Sequence, residues 1–211
     1  MKIKIKNARL SYPHLFVPAG FADDGDDARK RFGANLLIPI GSAEDKQIRK
    51  IIKQIGDEKL GKKADAQLKA WSNNNNKYCY TAGEDKDPEQ YEGLMILSAN
   101  RGEAQGAPVV VDRDPTVRLT ARDGKPYSGC YVNATVDIWI QTGKHNGVRC
   151  TLIAVQFSKD GEAFAGAPAR VDEDDFEDLS DQGDEEFEEE EAEEELDTDF
   201  EDMAPTPKKR K

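Results

Sequence analysis

Histidine and cysteine are scarce in this chain, and their scarcity excludes several kinds of chemistry. Only His14 and His145 occur in 211 residues, so a histidine-built metal centre or catalytic triad has almost nothing to draw on. The three cysteines, Cys79, Cys130 and Cys150, are odd in number and widely spaced. They fit neither a disulfide framework nor the close pairs of a zinc site. A secretory signal is also missing, so a reducing cytoplasm is the expected setting. No apolar run approaches the roughly 18 residues of a membrane span, so no membrane partner is expected. There is no phosphate-binding Gly-rich loop followed by Lys and Ser or Thr, no Gly-x-Gly-x-x-Gly after a strand and no His-Glu-x-x-His. Asp112 and Asp114 are close enough to suggest a metal-dependent nuclease, but their spacing is equally that of ordinary turn chemistry. No catalytic residue, metal ion or cofactor is therefore assigned.

What the chain has in abundance is charge, and it is unevenly placed. Residues 171–211 carry 21 acidic and four basic residues, a net of −17, whereas residues 1–170 carry 26 basic and 21 acidic residues, a net of +5. The chain then ends in Lys208-Lys209-Arg210-Lys211. Like charges repel, and the few apolar residues of the last segment, Phe176, Leu179, Phe187, Leu196 and Phe200, do not offset its ordering entropy. Residues 171–211 are expected to be a disordered acidic tail on a domain spanning 1–170. A basic body with a polyanionic tail points to a charged polymer as partner.

Within the body, Lys2-Ile3-Lys4-Ile5-Lys6 alternates with period two, the pattern of a half-buried strand. A second strand is expected from Phe32 to Ile40. Ser42 followed by Asp45 reads as a helix start, and Ile48, Ile51, Ile52 and Ile55 then recur at helical spacing. Helix resumes after Gly61 and reaches about Trp71. Further strands are expected at 77–81, 92–100, 109–112, 116–120, 130–141 and 148–157. Asn146-Gly147 marks a hairpin between the last two. The sum is mostly β, a small barrel or sandwich with one helical insertion.

The strand 130–141 is the most informative. Val132, Ala134, Val136, Ile138 and Ile140 form an unbroken apolar face. The other face offers Tyr131, Asn133, Thr135, Asp137, Trp139 and Gln141. Aromatic rings among polar groups, beside Lys and Arg, are what a single-stranded nucleic acid needs, because bases stack on rings while cations hold phosphates. Asp137 opposes this unless a cation pairs with it. The alternative is that a second layer, such as the helix, covers the face. Other candidate contacts are Lys2, Lys4 and Lys6 on one strand face, Arg29, Lys30, Arg31 and Lys144 in loops, and Tyr12 beside Pro13.

Arg9-Leu10-Ser11-Tyr12-Pro13, Leu36-Leu37-Ile38-Pro39, Tyr127-Ser128-Gly129-Cys130-Tyr131-Val132-Asn133-Ala134 and Val155-Gln156-Phe157 with Gly161-Glu162 resemble, in order and spacing, a bacteriophage family. That family was first catalogued as a domain of unknown function and includes single-stranded DNA-binding proteins. The resemblance covers about residues 1–168. It implies an OB-type barrel, sequence-tolerant binding of single-stranded DNA, a role in phage replication or recombination, and an acidic tail that contacts phage or host replication proteins. The basic cluster 208–211 departs from the usual tail, which ends acidic. A competing reading, a histone-chaperone-like protein binding basic proteins through its tail, rests on the same acidic tract and basic terminus. Monomer and dimer are both compatible with the sequence.

Overall fold

A computed structural model describes residues 1–20, 30–86 and 90–164. The expected loop residue Arg29, the tail 171–211 and the domain boundary at 170 lie outside the described residues. Seven strands form one sheet: β1 (Lys2–Ala19), β2 (Arg31–Pro39), β3 (Tyr80–Ala82), β4 (Leu94–Gly102), β5 (Val109–Val111), β6 (Tyr131–Gln141) and β7 (Gly147–Lys159). Their order is β3-β4-β2-β1-β6-β7-β5, and a further parallel pairing of β4 with β7, Asn100 opposite Thr151, closes β1, β2, β4, β7 and β6 into a five-stranded barrel. This is the OB-like architecture expected, with β3 and β5 added at its edges.

Strand β1 reaches far beyond the alternating lysines because two irregularities let it bend. Asn7 and Tyr12 take left-handed backbone conformations, φ 51° and 47°, at shifts in its pairing. The first half pairs with β6 and the second with β2, so one bent strand serves both sides of the barrel. In β6 the alternation is complete: Val132, Ala134, Val136, Ile138 and Ile140 are all buried. Cys130 and Cys150 are buried in the same core.

The helical insertion lies between β2 and β3 as α1 (Ala43–Leu60) and α2 (Ala64–Ser72), separated by one tight turn at Gly61–Lys63. Ser42 caps α1 through its hydroxyl, which accepts from the Asp45 amide at 3.1 Å. Asp45 does not complete a capping box with Ser42. Its carboxylate accepts instead from the Gly41 amide, from Arg49 Nε and from the Tyr80 hydroxyl at 2.8 Å. Burial acts to raise its pKa, but these hydrogen bonds and the Arg49 charge prevail and hold it below the usual carboxylate value. The isoleucine stripe Ile48, Ile51, Ile52 and Ile55 is buried on the barrel core, each side chain contributing about 1.5–3 kcal/mol of transfer free energy.

Two sequence expectations are corrected. Residues 116–120 form no strand, only one bridge from Arg118 to Val111. Of 77–81 only the end is strand, Tyr78 making a single bridge to Val148. The hairpin marked by Asn146-Gly147 forms, β6 pairing antiparallel with β7, but its loop is longer than two residues. Gln141 pairs with Gly147, so the loop is 142–146 and Gly147 opens β7. Gly147 is required for another reason: a Cβ there would collide with the backbone of Lys77.

Candidate nucleic-acid interface

Directly opposed residues of neighbouring strands share a face, so the register maps the outside of the barrel. Lys2 lies opposite Asp137, Asp137 opposite Thr151, Thr151 opposite Asn100, Asn100 opposite Gly33 and Gly33 opposite His14. This belt crosses all five barrel strands, winding from Lys2 to His14 of β1, and apart from Gly33 its side chains are polar. Gly33 is part of its construction, because a Cβ at that position would press on the Asn100 side chain and the Ala99 carbonyl.

On one side of the belt the outer face is open. Trp139 lies opposite Arg149 and is 38% exposed, its indole N–H donating to Thr151 Oγ1 at 3.0 Å. Arg149 is held by Gln141 Oε1 and by the carbonyls of Asn76 and His145 at 2.7–3.0 Å. Burial pushes the pKa of Arg149 down. Lys30 and Lys144 are exposed in the adjoining loops. Asp137 does not repel phosphate unopposed, because the amino-terminal ammonium sits 2.7 Å from its carboxylate and also donates to the Ile138 carbonyl. Lys2 and Lys4 are exposed opposite Asp137 and Thr135. Lys6 is exposed beside the Asn7 irregularity. Tyr12 is 65% exposed.

Around Tyr131 the outer face is covered. The row Lys159, Tyr131, Arg9, Leu37 and Ile96 is continuous across β7, β6, β1, β2 and β4. The Lys159 ammonium lies 4.4 Å from the Tyr131 ring centroid. Residues 160–164, which follow β7, cross this row as a strap. A Cβ at Gly161 would come within 3.0 Å of the Tyr131 ring. Tyr131 is therefore half-buried, under the strap rather than under the helix, while Asn133 is bonded internally to the Asn7 amide and to Gln156. Thr135 is half-buried between these regions.

Arg149, Arg9, Asn100 and Tyr91 were not singled out by sequence. Arg149 and Asn100 do occupy the outward phase of their strands, which is the signal that locates them. Arg9 and Tyr91 owe their position to the bend of β1 and to the β3–β4 connection, which no local pattern reveals. Among the described residues no group of His, Cys, Asp and Glu is arranged to hold a metal ion, and no helix is long and apolar enough to cross a membrane.

The geometry is that of a polar, partly basic barrel surface on which β6 carries one open and one covered aromatic, and known proteins are similar to the chain in sequence and in fold. The family described as Enterobacter phage Enc34, ssDNA-binding protein, matches residues 1–191. Protein p50 of Acyrthosiphon pisum secondary endosymbiont phage 1 is 40% identical over 183 residues, 85% of this chain and 95% of that protein. The solved single-stranded DNA-binding protein of bacteriophage Enc34 in complex with ssDNA is similar in fold, with a TM-score of 0.57 and 24% identity, over 77% of this chain and 89% of that one. The gp2.5 single-stranded DNA-binding protein of bacteriophage T7 shares the fold at a TM-score of 0.50 and 11% identity, over 81% and 98% of the two chains.

Proposed function

This chain belongs to the phage single-stranded DNA-binding protein family of Enterobacter phage Enc34, a family of non-catalytic binders, and from that premise we propose how it engages DNA. The body, residues 1–170, binds single strands with little regard to sequence, in the service of phage replication or recombination in the host cytoplasm. The observation that carries this reading is the exposed Trp139 beside Arg149. A base stacks on the indole while Arg149, Arg31 and the loop lysines Lys30 and Lys144 hold phosphates. Lys2, Lys4, Lys6 and Tyr12 extend the same outer surface, and Arg29 adjoins Lys30 in sequence. Asn133 and Thr135 line β6 between its two aromatics and shape the surface rather than lead the binding. The family membership displaces the histone-chaperone alternative.

The tail, residues 171–211, acts as an intramolecular polyanion that competes with DNA for the body and, once displaced, meets basic surfaces of replication or recombination proteins. Tethering gives such a tail an effective concentration on the order of millimolar, enough to populate a weak contact. The test of the proposed function is a titration of labelled single-stranded and double-stranded oligonucleotides of equal length at low salt. Preference for the single strand is expected, and equal or stronger binding of the duplex rejects the reading. A chain ending at Arg170 is expected to bind single strands more tightly than the full chain at low salt, with the difference closing as salt rises. Equal or weaker binding rejects tail competition.

A further inference from the structure

The strap over the Tyr131 side of the barrel ends in a seat built like a base-binding site. The Phe164 ring lies flat enough on Arg9 to put the guanidinium carbon 4.1 Å from its centroid. Tyr91 walls the ring edge-to-face, with centroids 5.9 Å apart and an interplanar angle of 83°. The floor is Leu37 and Ile96, two side chains that point out of the barrel rather than into its core, with Leu94 beside them. Both Arg9 and Tyr91 are fixed independently of Phe164. Arg9 donates to the carbonyl of Gly129 at 3.2 Å, and the Tyr91 hydroxyl shares a hydrogen bond with Ser11 Oγ at 2.8 Å. Beyond β7 the strap is tied by the Tyr127 hydroxyl to Gly161 and Asp160, by Arg9 to the Glu162 carbonyl at 2.8 Å, and by the Phe164 amide to the Ser128 carbonyl at 3.2 Å. It carries no strand ladder, the condition under which a segment opens locally without unfolding the rest.

We propose that the Arg9–Tyr91–Leu37–Ile96 seat is a base-binding subsite for single-stranded DNA, occupied by Phe164 until a base displaces it. A guanidinium plane and an aromatic wall over an apolar floor are the groups on which unpaired bases stack. The seat shares its row with Tyr131 and Lys159, so displacement of the strap uncovers Tyr131 in the same step. Phe164 and a base cannot both fill it. The apparent affinity of the free protein is therefore lowered by the fraction of molecules in which Phe164 is seated.

This proposal rests on the single-strand reading above, and its test separates the two. The full chain and its Phe164→Ala variant are titrated with a labelled thymidine homopolymer and with duplex, at low salt and at about 0.5 M salt. The variant is expected to bind the single strand about three- to tenfold more tightly. The gain is expected to persist at high salt, because the competitor is an apolar ring, whereas competition from the acidic tail is screened there. A wild-type chain without preference for the single strand would reject the proposed function itself. A wild-type preference with no gain in a folded variant, or a gain that vanishes with salt, overturns only the subsite. Hydrogen exchange of the wild-type strap gives a readout that no folding defect can obscure. Saturating single strand is expected to speed exchange at the Gly161 and Phe164 amides, and unchanged or slower exchange there overturns the proposal.

Discussion

Tyr131 and Trp139 stand on the same face of the same strand, eight residues or roughly 26 Å apart at the usual strand rise, yet their surroundings are opposite. Trp139 looks into solvent beside Arg149, with its N–H tied to the neighbouring strand. Tyr131 lies under the chain that leaves β7, with Lys159 on its ring and Gly161 against its edge. The strand pattern is identical at both positions, so the difference comes from what the chain does after the barrel is complete. Two aromatics that look equivalent in the strand pattern are, in the free protein, one open ring and one covered ring.

The comparison is broken most strongly by removing charge from the open side. Replacing Lys30, Arg31 and Lys144 together by Gln is expected to give the largest loss of single-strand affinity and to flatten its salt dependence. Each phosphate contact on a single strand adds about 0.7 to the slope of log affinity against log salt, so the slope should fall in magnitude by about 2. A slope that does not move would place the phosphates elsewhere. Next in size is Trp139→Ala, expected to weaken binding by about 1–3 kcal/mol with little change in melting temperature, since the ring is exposed. Unchanged affinity in fluorescence titration would remove the open side as a stacking platform.

Tyr131→Ala sharpens the contrast, because it should read out as stability before affinity. The ring anchors the strap and carries the Lys159 ammonium, a contact of about 0.5–1 kcal/mol at an exposed site. The variant is expected to lose about 1–2 kcal/mol in denaturant unfolding, the usual cost of trimming a half-buried ring. Its affinity should change less than that of Trp139→Ala. A larger affinity loss for Tyr131→Ala with unaltered stability would invert the roles assigned to the two rings.

Local patterns carried most of the fold. The perfect alternation of β6 follows from its buried Val, Ala and Ile residues, and α1 follows from Ser42 and the isoleucine stripe, because each depends on neighbours close in sequence. What escaped was non-local. The parallel contact of Asn100 with Thr151 that closes the barrel has no sequence signature. The length of β1 was hidden by two left-handed residues, Asn7 and Tyr12, neither of them glycine. Leu37 and Ile96 read as core residues of their strands, yet they face outward under Phe164. The cation that neutralises Asp137 is the chain's own amino terminus, which composition does not count as a site group.

That last pair yields the smallest expected effect. The ammonium of Met1 and the carboxylate of Asp137 are both partly solvent-exposed, so their mutual attraction is worth about 0–1 kcal/mol. Acetylating the amino terminus removes this cation and leaves Asp137, next to Trp139 on the open side, with the opposed Lys2 as its remaining positive neighbour. Single-strand affinity is then expected to fall by less than about fivefold at low salt, and the loss should disappear at high salt, where exposed charges are screened. The Asp137→Asn variant distinguishes electrostatics from local structure. In that background no carboxylate is left to unmask, so acetylation should no longer weaken binding. An equal loss with and without Asp137 would mean that the amino terminus contacts the DNA directly, and would move the phosphate path on the open side toward β1.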